Sequence, residues 1–258
     1  MPASIPGALA NLAVLSLGKT LVNLNYTASP TAFAHMLQAA EISCVISSTQ
    51  FLSKLRSRGI NIDLYLAGKE LIELENLKSE ISGFLKFKYF FLAVLLPARV
   101  LKYFVLNHLK NNTPAAILFS SGSEGLPKGV LLSHRNILAN ARQSACVLSV
   151  QSSDSVLGIL PLFHAFGLTV TTLMPVLVGT PVIFYPDPTD AKGVAKAIAT
   201  YDVTVLCGTS TFLNMYVRHP KVSSLMFQSL RSLPLNNWIH PFCACTLTVA
   251  MQQRINNK

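Results

Sequence analysis

The stretch Phe119-Ser120-Ser121-Gly122-Ser123-Glu124-Gly125-Leu126-Pro127-Lys128-Gly129-Val130 directly follows the apolar run 115–119. Its three glycines lack a Cβ, so the backbone can adopt positive φ angles and bring its N–H groups close to an anion. Three serine hydroxyls and the ammonium group of Lys128 add further donors. The stretch is therefore predicted to bind the phosphates of a nucleotide.

The sequence of this loop allows two other interpretations. The P-loop of nucleotide-driven motors requires Ser or Thr directly after the lysine, and here Gly129 follows Lys128, which disfavours that class. A plain surface turn with a solvated lysine is the simpler alternative. A strand in front of the loop and a helix behind it favour the phosphate-binding interpretation.

The remainder of the chain alternates between helix and strand patterns. For example, Ser29 before Pro30 is typical of a helix start, and Phe33, Met36 and Leu37 follow at helical spacing. Strands are predicted over 20–24, 44–46, 62–66, 115–119, 130–132, 156–160, 182–185 and 203–207. Helices are predicted over 8–17, 30–40, 51–58, 133–148, 166–178, 190–200 and 210–218. This rhythm predicts parallel sheets covered by helices, with ligands beyond the carboxyl ends of the strands.

Residues 84–110 are rich in aromatic and basic side chains. The uninterrupted apolar run Tyr89 to Leu96 is far shorter than the roughly 20 residues that span a bilayer. Such a composition is typical of a segment that lies in the headgroup region and attracts anionic lipid. The interpretation favoured by the sequence is instead a helix packed onto the domain with a solvated basic face. No nucleic-acid-binding motif accompanies these residues, so a nucleic-acid partner is not expected.

Composition restricts the class further. The formal net charge of +10, with only 11 acidic residues among 258, predicts an anionic partner such as a nucleotide, an acidic carrier protein or anionic lipid. Cys44, Cys146 and Cys207 stand in apolar segments and are predicted to be buried thiols in a reducing cytoplasm. Cys243 and Cys245 lack the spacing of a zinc site, so no metal centre is predicted. The start of the chain lacks the pattern of a signal peptide.

The loop 120–129 resembles the phosphate-binding signature of the adenylate-forming superfamily, whose usual form is S/T-S-G-S/T-T-G-x-P-K-G. Glu124 stands where that family usually has a small Thr. Together with 160–169, 208–213 and Asn25-Tyr26-Thr27-Ala28, the loop is most similar to the acyl-ACP synthetase half of the bifunctional 2-acylglycerophosphoethanolamine acyltransferase/acyl-ACP synthetase. The resemblance runs from about Pro2 to about Arg231.

The resemblance implies an incomplete α/β fold, part of the large N-terminal domain of the adenylate-forming enzymes. It implies an ATP-dependent ligase that activates a fatty acid as acyl-adenylate for transfer to acyl carrier protein or CoA, with Mg²⁺ as the family's metal. The family's phosphate-binding positions are Ser120, Ser121, Gly122, Ser123, Glu124, Gly125 and Lys128. Among these, Glu124 is expected to face solvent or to pair with a cation such as Arg135.

Five further positions are assigned to the substrate by the resemblance. His164 is expected to position the acyl carboxylate, and Phe166, Gly208, Thr209 and Phe212 are expected to border the acyl pocket. The alternatives are a His164 satisfied by the backbone at a strand–helix corner and phenylalanines that belong to the core. No catalytic residue is assigned.

The closing residues 232–258 break the pattern, and we hypothesise that a frameshift has replaced the family sequence there. The resulting organisation is a first α/β part over 1–83, a basic aromatic connecting segment over 84–111, the phosphate-loop part over 112–231 and an aberrant tail over 232–258. The family's ribose-binding aspartate, its adenine- and magnesium-contacting stretch and its catalytic lysine lie downstream of 231. The chain is therefore expected to be a fragment that is inactive by itself. The alternative is a noncatalytic remnant that binds only phosphate or a membrane surface.

Overall fold

The structure is a computed structural model, and it describes residues 1–60, 62–106, 112–120 and 125–231. The chain forms two compact units. The first consists of Met1 and Pro6–Arg135, and the second of Pro2–Ile5 and Asn136–Lys258. The tail proposed over 232–258 lies outside the described residues.

The first unit contains most of the helices and five strands. Its helices are α1 Ile5–Ser16, α2 Pro30–Ala39, α3 Thr49–Ser57, α4 Ile62–Leu66, α5 Leu74–Glu80, α6 Gly83–Leu95 and α7 Ala98–Leu106. Its strands are β1 Leu21–Val22, β2 Cys44–Ser47, β3 Glu70–Glu73, β4 Pro114–Ser120 and β5 Lys128–Ser133. Strands β1 and β4 pair in parallel, as do β2 and β3, whereas β4 and β5 are antiparallel.

Helix capping explains where two of these helices begin. Ser29 Oγ accepts a hydrogen bond from the amide of Ala32 at 3.3 Å, as the Ser-Pro pattern predicts. Ser48 Oγ does the same for Phe51 at 3.1 Å at the start of α3. The apolar residues of α2 and α3 then form one core, which contains Phe33, Met36, Leu37, Leu52 and Leu55.

The predicted strand over 62–66 is wrong, because these residues form α4. Ile62 and Leu66 are both buried, and their four-residue spacing puts them on one face of a helix. Asp63 in the first turn pairs with Arg56 at 2.7 Å, which fastens α4 to α3. The strand that pairs with β2 is β3, a few residues further on.

Helices α6 and α7 occupy the connecting segment, and α6 contradicts the favoured interpretation of a helix packed onto the domain. No residue of α6 is buried. Cys44 and Cys146 are exposed rather than buried as predicted, and only Cys207 among the described cysteines lies in the core. Within the described residues, no helix is long and apolar enough to cross a membrane.

The second unit surrounds a small sheet. It contains α8 His134–Val147, which begins at the boundary, then α9 Ala165–Leu168, a π-helical turn Thr169–Leu173, α10 Met174–Val178, α11 Ala191–Thr200, α12 Ser210–Arg218 and a short 3-10 helix Ser224–Phe227. Its strands are β6 Val156–Gly158, β7 Val182–Phe184 and β8 Val205–Leu206. All are parallel in the order β7-β6-β8, as the alternating pattern predicts.

Buried apolar residues fill the space between this sheet and its helices. Leu157 and Leu206 from two strands, Ile198 from α11 and Tyr216 from α12 are fully buried in one cluster. The Tyr216 hydroxyl donates to the carbonyl of Pro188 at 2.7 Å, so the phenol is satisfied within the core. The sheet therefore holds the starts of α9 and α12 on a rigid support.

The helix after β6 is predicted as one continuous helix, but it contains the π-helical turn. Thr171 and Thr172 both donate their side-chain hydroxyls to the carbonyl of Gly167, at 3.0 and 2.8 Å. Pro175 lacks an N–H and cannot continue an ordinary α-helical ladder at its position. The helix ends at Gly179, whose φ of 78° is left-handed.

Candidate nucleotide- and substrate-binding site

The serine- and glycine-rich loop joins two paired strands. Ser120 at the end of β4 lies opposite Lys128 at the start of β5, and Ser120 Oγ donates to the Lys128 carbonyl at 3.4 Å. Opposed residues in an antiparallel pair project to the same face, so the serine hydroxyl and the lysine side chain share one side of the hairpin. The predicted strand over 130–132 is part of β5, and the predicted helix over 133–148 follows it as α8.

Four of the assigned phosphate-binding residues, Ser121, Gly122, Ser123 and Glu124, lie outside the described residues. The described part of the loop begins at Gly125, whose φ is 148°, a conformation that residues with a Cβ rarely adopt. A Cβ built there meets nothing within 4 Å, so open space adjoins this backbone. Both Ser120 and Lys128 are exposed. The described ends of the loop are therefore exposed, and the backbone of Gly125 is open on the side where a Cβ would stand.

Gly129 has a different reason to be glycine. A Cβ at this position would come within 3.1 Å of Ile117 Cγ2 and 3.3 Å of Phe119 Cε1. Phe119 itself packs against the core of the first unit. The absence of a side chain at Gly129 thus lets the strand after the loop lie close to β4.

The sequence around the loop is strongly cationic. Between Glu80 and Asp154, Glu124 is the only acidic residue. Lys128, Arg135 and Arg142 carry positive charge in the same stretch. An excess of cations around glycine-rich backbone favours anion binding.

Sequence reasoning did not single out His134, which begins α8 shortly after the loop. Its Nε2 atom is buried and has no hydrogen-bond partner among the described residues. Burial lowers the pKa of His134, so the neutral form is favoured at neutral pH. The signal available in the sequence was the position of a histidine directly behind a strand that leaves the loop.

His164 stands at the start of α9, in the second unit. Its amide donates to the Pro161 carbonyl at 3.1 Å, but its side chain makes no capping hydrogen bond to the helix. The ring is exposed and lies 4.6 Å from the ring of Phe163, centroid to centroid. Desolvation by the surrounding protein lowers the pKa of His164. The geometry leaves the imidazole available to a ligand.

Gly167 shapes this corner. A Cβ built on Gly167 would overlap the carbonyl oxygen of Pro161, and it would come within 2.9 Å of the Leu160 carbonyl. The first turn of α9 can approach the end of β6 only because this residue has no side chain. Gly167 therefore sets where His164 is held.

The remaining assigned residues lie at the start of α12. Thr209 caps this helix, with its Oγ1 accepting from the amide of Phe212 at 3.5 Å. Phe212 stacks on Tyr216 with 6.5 Å between ring centroids, and both Phe212 and Phe166 pack half-buried against the core. Their partial burial is compatible with the core interpretation as well as with a pocket wall.

Four of the five substrate assignments come together at one edge of the sheet. His164 and Phe166 follow β6, and Gly208 and Thr209 follow β8. Strands β6 and β8 are neighbours and parallel, so their carboxyl ends lie side by side. Phe212 lies one helical turn further along α12. The phosphate loop belongs to the other unit.

The described residues do not assemble a magnesium site by themselves. No group of three or more His, Cys, Asp or Glu side chains in the described ranges is arranged to hold a metal ion. The described ends of the loop, by contrast, carry an exposed hydroxyl at Ser120 and an exposed ammonium group at Lys128, which are donor types that bind phosphate. The donor chemistry therefore fits a triphosphate.

Strands that end in a serine- and glycine-rich loop and in polar helix starts, together with the surrounding helices, define an α/β protein with ligand sites beyond its strands. The chain belongs to the AMP-binding enzyme family, whose model matches residues 1–255.

Curated relatives agree with this assignment. A long-chain-fatty-acid–CoA ligase of Yersinia pestis is 26% identical over 249 residues, which are 90% of this chain and 44% of that protein. The same enzyme of Bacillus subtilis is 32% identical over 122 residues, covering 46% of this chain and 21% of the relative. A probable 4-coumarate–CoA ligase of Dictyostelium discoideum is 35% identical over 121 residues, with coverage of 46% and 22%. The chain thus spans less than half the length of these relatives.

Solved structures share the fold. The inhibitor-bound N-terminal domain of FACL13 from Mycobacterium tuberculosis superposes with a TM-score of 0.70 at 21% identity, covering 90% of this chain and 54% of that one. ATP-bound MatB from Rhodopseudomonas palustris gives 0.67 at 20% identity, with coverage of 90% and 42%. These likenesses confirm the predicted α/β fold of the adenylate-forming N-terminal domain.

Proposed function

We propose that this chain is part of an ATP-dependent ligase. The ligase activates a long-chain fatty acid as its acyl-adenylate and then transfers the acyl group to a thiol. The family membership and the fatty-acid ligases among the relatives support this substrate class. The whole reaction is proposed for the longer enzyme type that these relatives represent. The resemblance of the loop to the adenylate-forming signature supports the first step.

In that step a carboxylate oxygen attacks the α-phosphorus of ATP, and the bond to the bridging oxygen of pyrophosphate breaks. Negative charge grows on the departing phosphates, so fixed donors beside them stabilise the transition state. We assign this role to the loop from Ser120 to Lys128, with Lys128 as the cation. Magnesium, which the resemblance implies, would neutralise further phosphate charge.

We propose that His164 positions the acyl carboxylate. Because its pKa is lowered, the imidazole is mostly neutral at pH 7 and can donate one hydrogen bond without carrying a proton to the substrate. Phe166 and Phe212 border the path of the acyl chain in this proposal, with Gly208 and Thr209 at the helix start beside them.

Acyl carrier protein is the acceptor that we propose, with CoA as the alternative. The resemblance of the motifs at 120–129, 160–169 and 208–213 to acyl-ACP synthetases supports this choice, and the net charge of +10 complements an acidic carrier protein. The CoA ligases among the relatives support the alternative. Binding of holo-acyl carrier protein and of CoA to the purified chain distinguishes the two. Preference for CoA would reject the carrier-protein assignment and leave the ligase class intact.

The proposal places the protein in the cytoplasm, where ATP is supplied, at the periphery of a membrane.

The second candidate is a noncatalytic remnant, in which these 258 residues bind phosphate or lipid without forming acyl-adenylate. Fatty-acid-dependent pyrophosphate release by the purified chain would reject it.

One observation carries the nucleotide-binding part of the proposal, namely the pairing of Ser120 with Lys128 across the mouth of the loop. Its test is ATP affinity, measured by calorimetry, in Lys128→Ala. Removing a charge-assisted contact to phosphate is expected to weaken binding by at least about tenfold. Lys192→Ala is the matched control, since this exposed lysine lies on α11 in the other unit. Equal ATP affinity in Lys128→Ala and the wild type would reject the site.

A further inference from the structure

Helix α6 consists mainly of apolar residues, but none of them is buried in the protein. Of its thirteen residues none is buried, and the only charged side chains are Lys86 and Lys88. A helix that is apolar on all sides is normally covered by protein or lipid. Helix α6 therefore exposes a largely apolar surface to solvent.

Aromatic rings dominate this surface. Phe84 is 75% exposed, Phe87 61% and Phe90 65%. The rings of Phe87 and Phe91 lie 4.6 Å apart, centroid to centroid, and Phe90 contacts Phe91 edge to face at 6.4 Å. These rings form one continuous cluster along the helix, because residues three or four apart share a face. Large exposed apolar patches mark sites of interaction.

Helix α7 adds an amphipathic and basic element after the break at Pro97. Arg99 and Lys102 lie three residues apart on one face and are exposed, whereas Val100 and Leu101 are partly buried. Tyr103 is 64% exposed beside this basic face. Basic and aromatic side chains together are typical of a helix at a membrane–water interface.

The charge of the two helices has a single sign. From residue 81 to residue 123 the sequence contains no Asp or Glu. Lys86, Lys88, Arg99 and Lys102 therefore give the two helices a net positive charge. A second copy docked through the same face would bring these four cations against an identical set, which charge repulsion opposes. An anionic partner complements them.

We propose that α6 and α7 form a lipid-docking surface, which rests in the headgroup region of an anionic phospholipid bilayer. The aromatic cluster inserts among the upper acyl carbons, and the four cations contact the phosphates. At about 1.5 Å per residue, α6 is roughly 20 Å long and shorter than the hydrocarbon core, so it lies on the bilayer and does not cross it. This surface gives a fatty-acid ligase direct access to its membrane-dissolved substrate.

The test is sedimentation of the purified chain with two kinds of vesicle, in the absence of ATP and fatty acid. One kind contains phosphatidylcholine alone, and the other contains phosphatidylcholine and phosphatidylglycerol in equal parts. Because each cation near an anionic surface favours binding by roughly fivefold, we expect at least tenfold stronger partitioning onto the mixed vesicles. High salt is expected to weaken it.

Two sets of variants separate the aromatic and the electrostatic contributions. Phe87→Ser with Phe90→Ser, and Gln at the four cations, are each expected to reduce partitioning at least about tenfold. The matched controls are Leu64→Ser with Tyr201→Ser, which are 69% and 62% exposed elsewhere, and Lys192→Gln with Lys196→Gln on α11. Unchanged thermal unfolding verifies that each variant is folded.

Three outcomes would overturn the lipid-docking surface. These are equal partitioning onto both vesicles, wild-type partitioning by the aromatic or charge variants, and a concentration-dependent dimer that the aromatic variants dissolve in light scattering. Since the measurement uses no nucleotide, it can fail while ATP binding at the loop survives. Loss of ATP binding in Lys128→Ala likewise leaves the lipid result untouched.

Discussion

Arg231 holds Asp154 with two parallel hydrogen bonds, from Nε to Oδ1 at 2.7 Å and from Nη2 to Oδ2 at 2.6 Å. Asp154 is buried, and its carboxylate also accepts from the Thr204 hydroxyl at 2.8 Å and the Gln151 amide at 2.7 Å. The same guanidinium donates to the carbonyls of Leu148 and Ser149. One side chain therefore joins the end of the described chain to the turn before β6.

Replacing Arg231 is expected to destabilise the second unit. Arg231→Ala leaves a buried carboxylate without its cation, which costs roughly 2 to 3 kcal/mol of unfolding free energy because the guanidinium is itself partly exposed. Urea unfolding measures the change. Arg218→Ala, at the exposed end of α12, is the control and is expected to change it by less than about 0.5 kcal/mol. Equal effects of the two substitutions would contradict this role.

The same carboxylate makes stability sensitive to acid. Burial raises the pKa of Asp154, but hydrogen bonds from Gln151, Arg231 and Thr204 outweigh it and hold the pKa below its ordinary value. A lowered folded-state pKa stabilises the protein above the unfolded pKa of about 3.9, and this contribution is lost as pH falls through the folded value. Unfolding from pH 7 to pH 3 is expected to show a steeper loss in the wild type than in Asp154→Asn. If the stabilities of the wild type and Asp154→Asn fell in parallel over this pH range, the stabilising role of the Asp154 carboxylate would be rejected.

Gly125 offers a test of the loop's backbone. Gly125→Ala places a Cβ at φ 148°, which is expected to cost about 2 kcal/mol or to shift the loop, and in either case to weaken ATP binding. Gly83→Ala is the control, because that glycine has open space and an ordinary φ. Calorimetric ATP titration together with thermal unfolding measures both effects. Undiminished ATP affinity in Gly125→Ala would show that the loop backbone does not contact phosphate.

Gly167 is expected to tolerate no side chain. In Gly167→Ala the new methyl group meets the backbone of Pro161 and Leu160, neither of which can move without disturbing the end of β6. We expect a loss of about 3 kcal/mol or more, measured by urea unfolding. Gly208→Ala is the contrasting variant, because its Cβ meets only the flexible end of Leu213 at 3.3 Å, and less than about 1 kcal/mol is expected. Similar losses in both would refute the close approach at Gly167.

Tyr185 is expected to make the stability of the protein sensitive to alkaline pH. Its hydroxyl donates to Asp190 Oδ2 at 2.6 Å, and this bond is the main reason that the pKa of Tyr185 rises to about 12. Because the pKa of the Tyr185 phenol is higher in the folded state than the unfolded value of about 10, the phenol stabilises the folded protein below pH 10. This stabilisation is lost as the pH rises through the folded-state pKa of about 12. In Asp190→Asn the Tyr185 pKa is expected to fall towards 10, as followed by tyrosinate absorbance with Tyr185→Phe as reference. An unchanged titration would exclude the bond.

Local sequence signals predicted much of the fold. Ser29 and Asp190 both cap helices as their patterns indicate, the latter through a 2.9 Å bond from the Gly193 amide. The parallel sheet β7-β6-β8 follows from the alternating rhythm. Capping and hydrophobic period act over a few residues, so a single sequence contains them in full.

Other features depend on contacts that no local pattern contains. The segment 62–66 carries an alternating pattern that fits a strand, and its packing against α3 selects the helix. The pair between Arg231 and Asp154 joins residues 77 positions apart. The individual phosphate- and substrate-binding assignments remain predictions, because they were carried by resemblance and their tests are functional. The position of His134 behind β5 is visible in the sequence, but the burial of its Nε2 atom without a hydrogen-bond partner among the described residues is not.

The π-helical turn at Thr169–Leu173 accommodates one residue more than an α-helix of the same length would. Each residue of an α-helix advances the direction of its side chains by about 100°. Deleting one threonine in this turn would therefore let a regular helix form and would rotate the His164 end by about a quarter of a revolution relative to α10. The direction of the His164 imidazole relative to α10 thus depends on the wider turn at Thr169–Leu173 as well as on the close approach at Gly167.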